Sequence, residues 1–135
     1  MDDPRRDEPS RYDEFQRFRE SLNERITGAD GLGTVVTKRF WRLDGQAYEA
    51  GALGERTKEL LGLVASMVLR CDDCIAYHVD RCVALGWSDE ELAEAFDVAL
   101  IVGGSIVIPH LRRAVAFLDE CRDERQTEDQ TEGGA

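Results

Sequence analysis

Apolar residues recur every three to four positions along most of the chain, which is the period of an amphipathic α-helix. The first such segment follows Ser10, a residue type favoured at helix N-caps, and contains Tyr12, Phe15, Phe18, Leu22 and Ile26. A glycine-rich stretch that begins at Gly28 ends this segment. No run of alternating apolar and polar residues is long enough to indicate a β-strand. The pattern therefore predicts an all-α fold.

The same periodicity continues and predicts about six helices in total. The later ones are expected over Thr34 to Tyr48, Glu55 to Leu69, Cys71 to Leu85 with Gly86 as its end, a fifth opened by the capping box of Ser88 and Glu91, and a last helix to about Arg122. The second half of the helix from 55 to 69 is apolar on nearly every side, so we expect it to be buried.

The two ends of the chain differ in composition from the part between them. Residues 1–9 hold two prolines and mostly charges, and residues 126–135 are polar, acidic and end in Gly-Gly-Ala. Such composition is typical of solvated segments that do not pack onto a core. We therefore expect one helical domain over residues 10–125, between two disordered charged tails.

The charge of the chain excludes several classes of partner. Lys and Arg number 17 against 28 Asp and Glu, which gives a formal net charge of −11. Nucleic acids and anionic membrane surfaces attract basic faces, so neither is expected to bind. The longest apolar runs, 60–69 and 98–109, are shorter than the roughly 20 residues that span a bilayer. The N-terminus also lacks the apolar stretch of a secretory signal, so a cytoplasmic location is expected.

The residues most capable of chemistry lie together between Arg70 and His78, where Cys71 and Cys74 enclose two aspartates. Two cysteines three apart in a helix have Cα atoms about 5 Å apart, within the range of a disulfide. In a first helical turn, the unpaired N–H groups and the helix dipole favour thiolates. His78, four residues after Cys74, can accept a thiol proton. These groups are the minimum for thiol–disulfide exchange or peroxide reduction.

Two other interpretations of the cysteine pair stay open. A closed zinc site needs four ligands, of which Cys71, Cys74 and His78 would supply three. His110, Cys121 or a carboxylate would then have to complete the site. The second alternative is purely structural, with two ordinary buried cysteines beside a hydrogen-bonded histidine.

The remaining cysteines and the second histidine are interpreted as structural. Cys82 lies about 12 Å from Cys74 along a straight helix, too far for a disulfide, and is expected to be a small core residue. Cys121 falls at the frayed end of the last predicted helix and is taken as incidental. His110 follows Pro109 at a helix start and is expected to have no part in the chemistry.

Glu59 is a further candidate for the functional site, because it directly precedes the apolar run 60–69 that leads to the cysteines. A glutamate in the first turns of a helix is usually a solvated side chain that the dipole favours. If two helices joined near residue 70 fold back on each other, however, Glu59 would approach His78. A partly buried carboxylate beside an imidazole raises its basicity and can pass protons onward.

The spacing of Glu59, Cys71, Cys74 and His78 resembles the Glu…Cys-x-x-Cys-x-x-x-His signature of the carboxymuconolactone decarboxylase family. Within that family it is similar to the alkylhydroperoxidase AhpD-like branch. The flanking sequences also resemble those of the family. They are Arg-Thr-Lys-Glu-Leu-Leu-Gly-Leu-Val-Ala before the cysteines and Gly-Trp-Ser-Asp-Glu-Glu-Leu-Ala-Glu-Ala after them. The resemblance covers about residues 52–118, and the first fifty residues match no pattern that we can name.

The resemblance implies a small helical bundle that assembles as a homo-oligomer, a trimer or a hexamer, with active sites near subunit interfaces. It implies a hydroperoxide reductase without a cofactor, which takes electrons from a dithiol carrier such as a lipoyl domain or a thioredoxin-like protein. Glu59 and His78 would form a proton relay, and Cys71 and Cys74 would cycle through a disulfide. Cys74, nearer to His78, is assigned as the attacking thiolate and Cys71 as the resolving thiol; the reverse assignment stays open.

Two alternative functions follow from the same residues. The branch of the family that decarboxylates a muconolactone lacks the cysteine pair, so lactone or acid chemistry here would rest on His78 and Glu59 alone. The other alternative is a non-enzymatic module, in which the thiols sense oxidants or hold zinc.

Overall fold

A computed structural model describes residues 9–132, and within them every regular element is helical. The six α-helices are α1 (Arg11–Thr27), α2 (Val35–Ala47), α3 (Glu55–Val68), α4 (Asp72–Ala84), α5 (Asp89–Gly103) and α6 (Ile108–Glu132), with a short 3-10 turn at Ser105–Val107. The predicted all-α class and the number of helices are confirmed. In this part of the chain, no helix is long and apolar enough to cross a membrane. The predicted N-terminal tail lies almost entirely outside the described residues.

The helices form two compact units, Met1–Ala50 and Gly51–Ala135. The first unit contains α1 and α2, whose starts follow local capping signals. The Ser10 hydroxyl accepts a hydrogen bond from the N–H of Asp13, as its position in the sequence predicts. Thr34 and Thr37 form a reciprocal capping box at the start of α2. Neither of these two helices has a fully buried side chain.

The second unit holds the hydrophobic core, in which α4 packs against both α3 and α6 while α3 also packs against α5. Each helix contributes a stripe of apolar side chains spaced three or four residues apart. The buried ones include Leu63, Met67, Ile75, Val79, Cys82, Leu92, Phe96, Ala99, Ala114, Phe117, Leu118 and Cys121. The central position of α4 fixes the residues at its N-terminal end relative to two neighbouring helices.

The prediction that the second half of α3 is buried is confirmed only for its inner face, where Leu63 and Met67 are buried, and is wrong for its outer face in the single chain. Its inner face is covered by α4 and α5, but Leu61 on the outer face is 55% exposed, and Leu69 just beyond the helix is 77% exposed. An open apolar groove, termed the α3–α5 groove below, is lined by Leu60, Leu61, Val64, Ala65, Val68, Leu69, Ala95, Val98 and Val102. Two packing partners are too few to enclose a helix that is apolar all round.

The predicted end of the last helix near Arg122 is also wrong, because α6 continues to Glu132. Residues 126–132, expected to belong to a disordered tail, are helical; residues 133–135 lie outside the described part. Polar and acidic composition indicates solvation, but it does not prevent a helix where neither glycine nor proline intervenes. Arg125 Nη2 also lies 3.4 Å from Asp80 Oδ1 on α4, which holds this part of α6 against the core.

The connection between α3 and α4 is short because a Schellman motif ends α3. The N–H of Arg70 donates to the carbonyl of Met67 at 3.0 Å, and that of Cys71 donates to the carbonyl of Ser66 at 3.1 Å. Arg70 adopts the left-handed conformation that this motif requires, with φ of 59°. The backbone N–H of Cys71 therefore caps the end of α3, and the same residue is the N-cap of α4.

The connection between α4 and α5 repeats this arrangement with glycine at the left-handed position. Gly86 has φ of 87°, and its N–H donates to Val83 while the N–H of Trp87 donates to Cys82. The predicted helix end at Gly86 is confirmed. Arginine occupies the equivalent position in the first connection, where its Cβ crowds the backbone.

We expect Arg70→Gly to increase the free energy of unfolding by about 0.5 kcal/mol, because relief of the left-handed strain outweighs the extra freedom of glycine in the unfolded chain. Urea-induced unfolding at one fixed protein concentration would measure the change. Gly86→Ala is the matched control: a Cβ there meets no atom within 4 Å. Its expected loss of about 1 kcal/mol would therefore report backbone strain alone. A destabilised Arg70→Gly variant would contradict the argument.

Candidate active site

Cys71 and Cys74 lie at the N-terminal end of α4 and are joined by a disulfide. Cys71 is the N-cap residue, and its Sγ accepts a hydrogen bond from the N–H of Cys74 at 3.3 Å. Their Cα atoms are 5.2 Å apart. The helix dipole and the unpaired N–H groups of this turn stabilise negative charge, so both sulfurs are in an environment that favours thiolates once the disulfide is reduced.

The two sulfur-bearing residues differ in exposure. Cys74 is exposed, whereas Cys71 is half-buried. Solvent, a small substrate or an external thiol therefore reaches Cys74 more readily within a single chain. Cys71 is the residue whose sulfur has a backbone hydrogen bond, which stabilises its thiolate as a leaving group in thiol exchange.

Glu59 and His78 form a buried hydrogen-bonded pair between α3 and α4. Glu59 Oε2 lies 2.8 Å from His78 Nδ1, and the two residues are 2% and 7% exposed. An ionised carboxylate can only accept hydrogen bonds, so Nδ1 carries the hydrogen and Nε2 is the nitrogen that can exchange a proton. The sharp turn at Arg70 brings these residues together, as the predicted folding back of the two helices requires.

Arg81 adds a positive charge to this pair, and sequence reasoning missed it. Its Nε lies 3.8 Å from Glu59 Oε1, and its Nη2 donates to Glu55 Oε1 at 2.8 Å. A buried carboxylate needs such compensation, because loss of hydration otherwise disfavours its charged form. The available signal was spacing: Arg81 is one turn after His78, and Glu55 is one turn before Glu59.

His110, interpreted from the sequence as structural, also contacts the cysteine motif. Its Nδ1 lies 2.7 Å from Oδ1 of Asp72, the residue directly after Cys71. Nη1 of Arg113 lies 3.4 Å from the other oxygen of the same carboxylate. Asp72 was not a candidate in the sequence, although its place between the two cysteines was a usable signal.

The described residues do not bring together the four ligands that the zinc alternative requires. Within residues 9–132, no three His, Cys, Asp or Glu side chains are grouped so that they could hold a metal ion. His110 bonds to Asp72 instead, and Cys121 is completely buried in the core.

Cys82 and Cys121 are free, buried thiols. Burial raises the pKa of each to about 12, with a further increase from the negative charge of Glu59 for Cys82 and of Asp80 for Cys121. Cys82 packs in the core as expected. The interpretation of Cys121 as a residue at a frayed helix end is wrong, because α6 continues for three more turns and presses this side chain into the core.

Residues 35–117 match the carboxymuconolactone decarboxylase family, and the chain belongs to that family. Two crystal structures of family members are similar to it. One, from Thermotoga maritima, has 57% sequence identity and a TM-score of 0.79 over 86% of this chain and 96% of that chain; involvement in the antioxidative response has been suggested for it. The other, an apo structure from Legionella pneumophila, has 26% identity and a TM-score of 0.60 over 80% and 87% of the two chains.

A relative from Paracoccus denitrificans, called uncharacterized protein 4 in cox locus, is 32% identical over 88 residues. The matched region spans 65% of this chain and 79% of that relative. Its name states no activity.

The four cysteines should differ sharply in reactivity towards a chromogenic disulfide reagent at about pH 8. In the oxidised, folded protein we expect no fast-reacting thiol, since a thiol with a pKa of about 12 is ionised in only about one molecule in 10⁴. Reduction should expose two fast thiols, those of Cys71 and Cys74, and unfolding should release the other two. Fast labelling of Cys82 or Cys121 in the native protein would refute this assignment. The variants Cys82→Ala and Cys121→Ala identify which of the two thiols reacts.

The same two buried thiols should make the fold sensitive to alkali. Their pKa values are raised in the folded state, so the stability that they contribute is fully present below the unfolded thiol pKa of about 8.5. This contribution to the stability declines as the pH rises from about 8.5 towards about 12. Thermal unfolding above about pH 9 should therefore show a smaller loss of stability in Cys82→Ala than in the unmodified chain. Equal losses would contradict the expectation.

Proposed function

We propose that this chain is a thiol-dependent hydroperoxide reductase of the alkylhydroperoxidase AhpD-like branch of its family. The observation that carries the proposal is the buried Glu59–His78 pair, which lies one helical turn from the exposed Cys74 of the Cys71–Cys74 disulfide. A redox-active disulfide and a proton relay are thus built on the same two helices. The antioxidative role suggested for the Thermotoga maritima protein, at 57% identity, also supports this activity.

The first step oxidises one cysteine. The Cys74 thiolate attacks the terminal oxygen of a hydroperoxide ROOH, the O–O bond breaks, and the products are a Cys74 sulfenic acid and the alkoxide RO⁻. A proton then converts the alkoxide to the alcohol ROH. His78 takes the proton of the Cys74 thiol before attack and returns it to the leaving oxygen, directly or through one water. Glu59 holds the imidazole in the tautomer with its lone pair on Nε2 and stabilises the cation that forms.

The next two steps restore the starting state. The Cys71 thiolate attacks the sulfenic sulfur, and the Cys71–Cys74 disulfide forms with release of hydroxide, which is protonated to water. An external dithiol then attacks the exposed Cys74 sulfur, so Cys71 leaves as a thiolate and a mixed disulfide forms. The second thiol of the reductant attacks that mixed disulfide, releases Cys74, and departs as an oxidised disulfide. A lipoyl domain or a thioredoxin-like protein in a reducing cytoplasm supplies suitable dithiols.

Cys74 is assigned as the attacking thiol for two reasons. It is the exposed member of the pair, and it lies four residues before His78 on one face of α4. Cys71 has the hydrogen bond from the N–H of Cys74, which stabilises a thiolate that must resolve the sulfenic acid and leave again on reduction. In the reverse assignment, the single-cysteine variant that retains Cys71 would form the sulfenic acid.

Turnover of an organic hydroperoxide with a small dithiol tests the function. We expect Cys71→Ser and Cys74→Ser each to abolish multiple turnover, and His78→Gln to lower kcat/KM about 10²–10⁴-fold, the range of lost acid–base catalysis. Cys82→Ala is the matched control and should retain activity, since Cys82 is a buried thiol outside the site. Wild-type-like turnover in the Cys74→Ser variant would refute the proposed chemistry.

The other functions weighed from the sequence predict different results for the same set of variants. Reversible loss of two thiols without turnover would indicate a redox sensor. Activity on a lactone that survives the loss of both thiols would indicate chemistry by His78 and Glu59 alone.

We also propose that the functional form is a homo-oligomer, as the family resemblance implies. The α3–α5 groove supports this, because its lining is apolar and a second copy of the chain would remove residues such as Leu61 and Val98 from water. The groove begins at the end of α3 next to the cysteine motif, so an adjacent subunit would contribute to the surroundings of the site.

Val98→Glu places a charge in the α3–α5 groove and should shift the oligomer towards smaller species in size-exclusion chromatography with light scattering. A charge buried in an apolar interface without a partner is strongly unfavourable. Ala93→Glu is the control, because Ala93 is also exposed on α5 but lies outside the groove. An unchanged mass for Val98→Glu, or an equal shift in both variants, would mean that the groove is not the interface.

A further inference from the structure

A second imidazole–carboxylate pair lies beside the redox pair. His110 Nδ1 is 2.7 Å from Asp72 Oδ1, and since a carboxylate only accepts, the imidazole donates this hydrogen bond. Arg113, one turn further along α6, approaches the other oxygen of Asp72 at 3.4 Å. The side chain of His110 is 18% exposed against 57% for Arg113. The histidine contact is therefore the shorter and the less screened of the two.

Asp72 occupies a sensitive position for this kind of contact. It is the first residue of α4, it directly follows Cys71, and it lies two residues before Cys74. A carboxylate at this distance repels a thiolate and opposes the stabilisation that the helix dipole provides. Asp73 brings a second carboxylate between the cysteines, and Arg70, exposed in the preceding turn, brings a positive charge. Within residues 9–132, the ion pairs from α6 to this turn involve Asp72 and not Asp73.

We propose that His110 is a positioning residue for the redox pair: with Arg113 it holds Asp72 against α6, fixes the first turn of α4, and limits the repulsion that Asp72 exerts on the thiolates. The inference rests on the proposed redox role of Cys71 and Cys74, but not on a hydroperoxide as the substrate. His110 thus controls how readily the reduced pair ionises, while His78 and Glu59 move protons.

The test measures the thiol pKa of the reduced protein from the ultraviolet absorbance of thiolate between about pH 5 and 9. Cys82 and Cys121, with pKa values of about 12, stay silent in this range. We expect His110→Leu to raise the thiol pKa by about 0.5, because the nearby Asp72 carboxylate loses its shorter partner and keeps only Arg113. His110→Asn keeps a side-chain donor near the position of Nδ1 and should restore most of the wild-type value. Asp72→Asn should lower the thiol pKa, because it removes the repelling charge.

A double-mutant cycle separates this role from a general structural effect. In the Asp72→Asn background, His110→Leu should leave the thiol pKa unchanged, whereas in the Asp73→Asn background it should still raise it. Asp73→Asn is the matched control, since it removes the same charge from the same turn without touching the His110 contact.

The proposal is overturned if His110→Leu leaves the thiol pKa unchanged while circular dichroism shows an intact fold. It is also overturned if the shift is the same with and without the Asp72 carboxylate. Should His110→Leu fail to fold, equal thiol pKa values for His110→Asn, Asp72→Asn and the unmodified protein would overturn it as well. None of these readouts needs hydroperoxide turnover, so failure of the proposed enzymatic function would be recognised separately.

Discussion

The charge of Glu59 is the constraint on which the site depends, because this carboxylate is almost completely removed from water. An isolated buried charge costs several kcal/mol, and only close partners offset that cost. His78 and Arg81 supply them from α4, so α3 and α4 must pack in one register for the fold to be stable. The same register fixes the start of α4, and thus the cysteines, relative to the Glu59–His78 pair.

The four cysteines show how environment decides the chemistry of one residue type. Cys74 and Cys82 lie on the same helix, two turns apart, yet one is exposed in a disulfide and the other is a buried thiol whose pKa is raised to about 12. The first turn of α4 supplies backbone N–H groups and the positive end of the helix dipole, whereas the second half of the helix buries Cys82, where burial and then the charge of Glu59 raise the pKa despite Arg56 and Arg81. The disulfide and the surroundings that favour thiolates are thereby confined to one end of α4.

Local signals in the sequence predicted the features that depend on neighbours in the chain: the helix class, the Ser10 cap and the Gly86 helix end. The approach of Glu59 to His78 was expected only on the condition that the two helices fold back on each other, which the structure shows. The contact of His110 with Asp72 spans 38 residues and follows from how α6 packs on α4, which periodicity does not encode. The exposed face of α3 was missed because apolar residues indicate burial, but they do not indicate whether the same chain or another one covers them. The extension of α6 was missed because acidic composition resembles that of a disordered tail.

The charges around the cysteines also bear on what the site can accept. Two carboxylates, Asp72 and Asp73, lie between the thiols on a chain of net charge −11, and the α6 ion pairs compensate one of them. Arg70 offsets part of this local charge, but the net charge of the whole chain remains strongly negative. In the proposed reaction, an anionic substrate or reductant would approach Cys74 against that net charge, whereas a neutral hydroperoxide would not. For the proposed reaction, the net charge would therefore favour neutral over anionic hydroperoxides. The dipole of α4 counters the same negative charge at the sulfurs, and in the role proposed for His110 the Asp72–His110 contact does so as well.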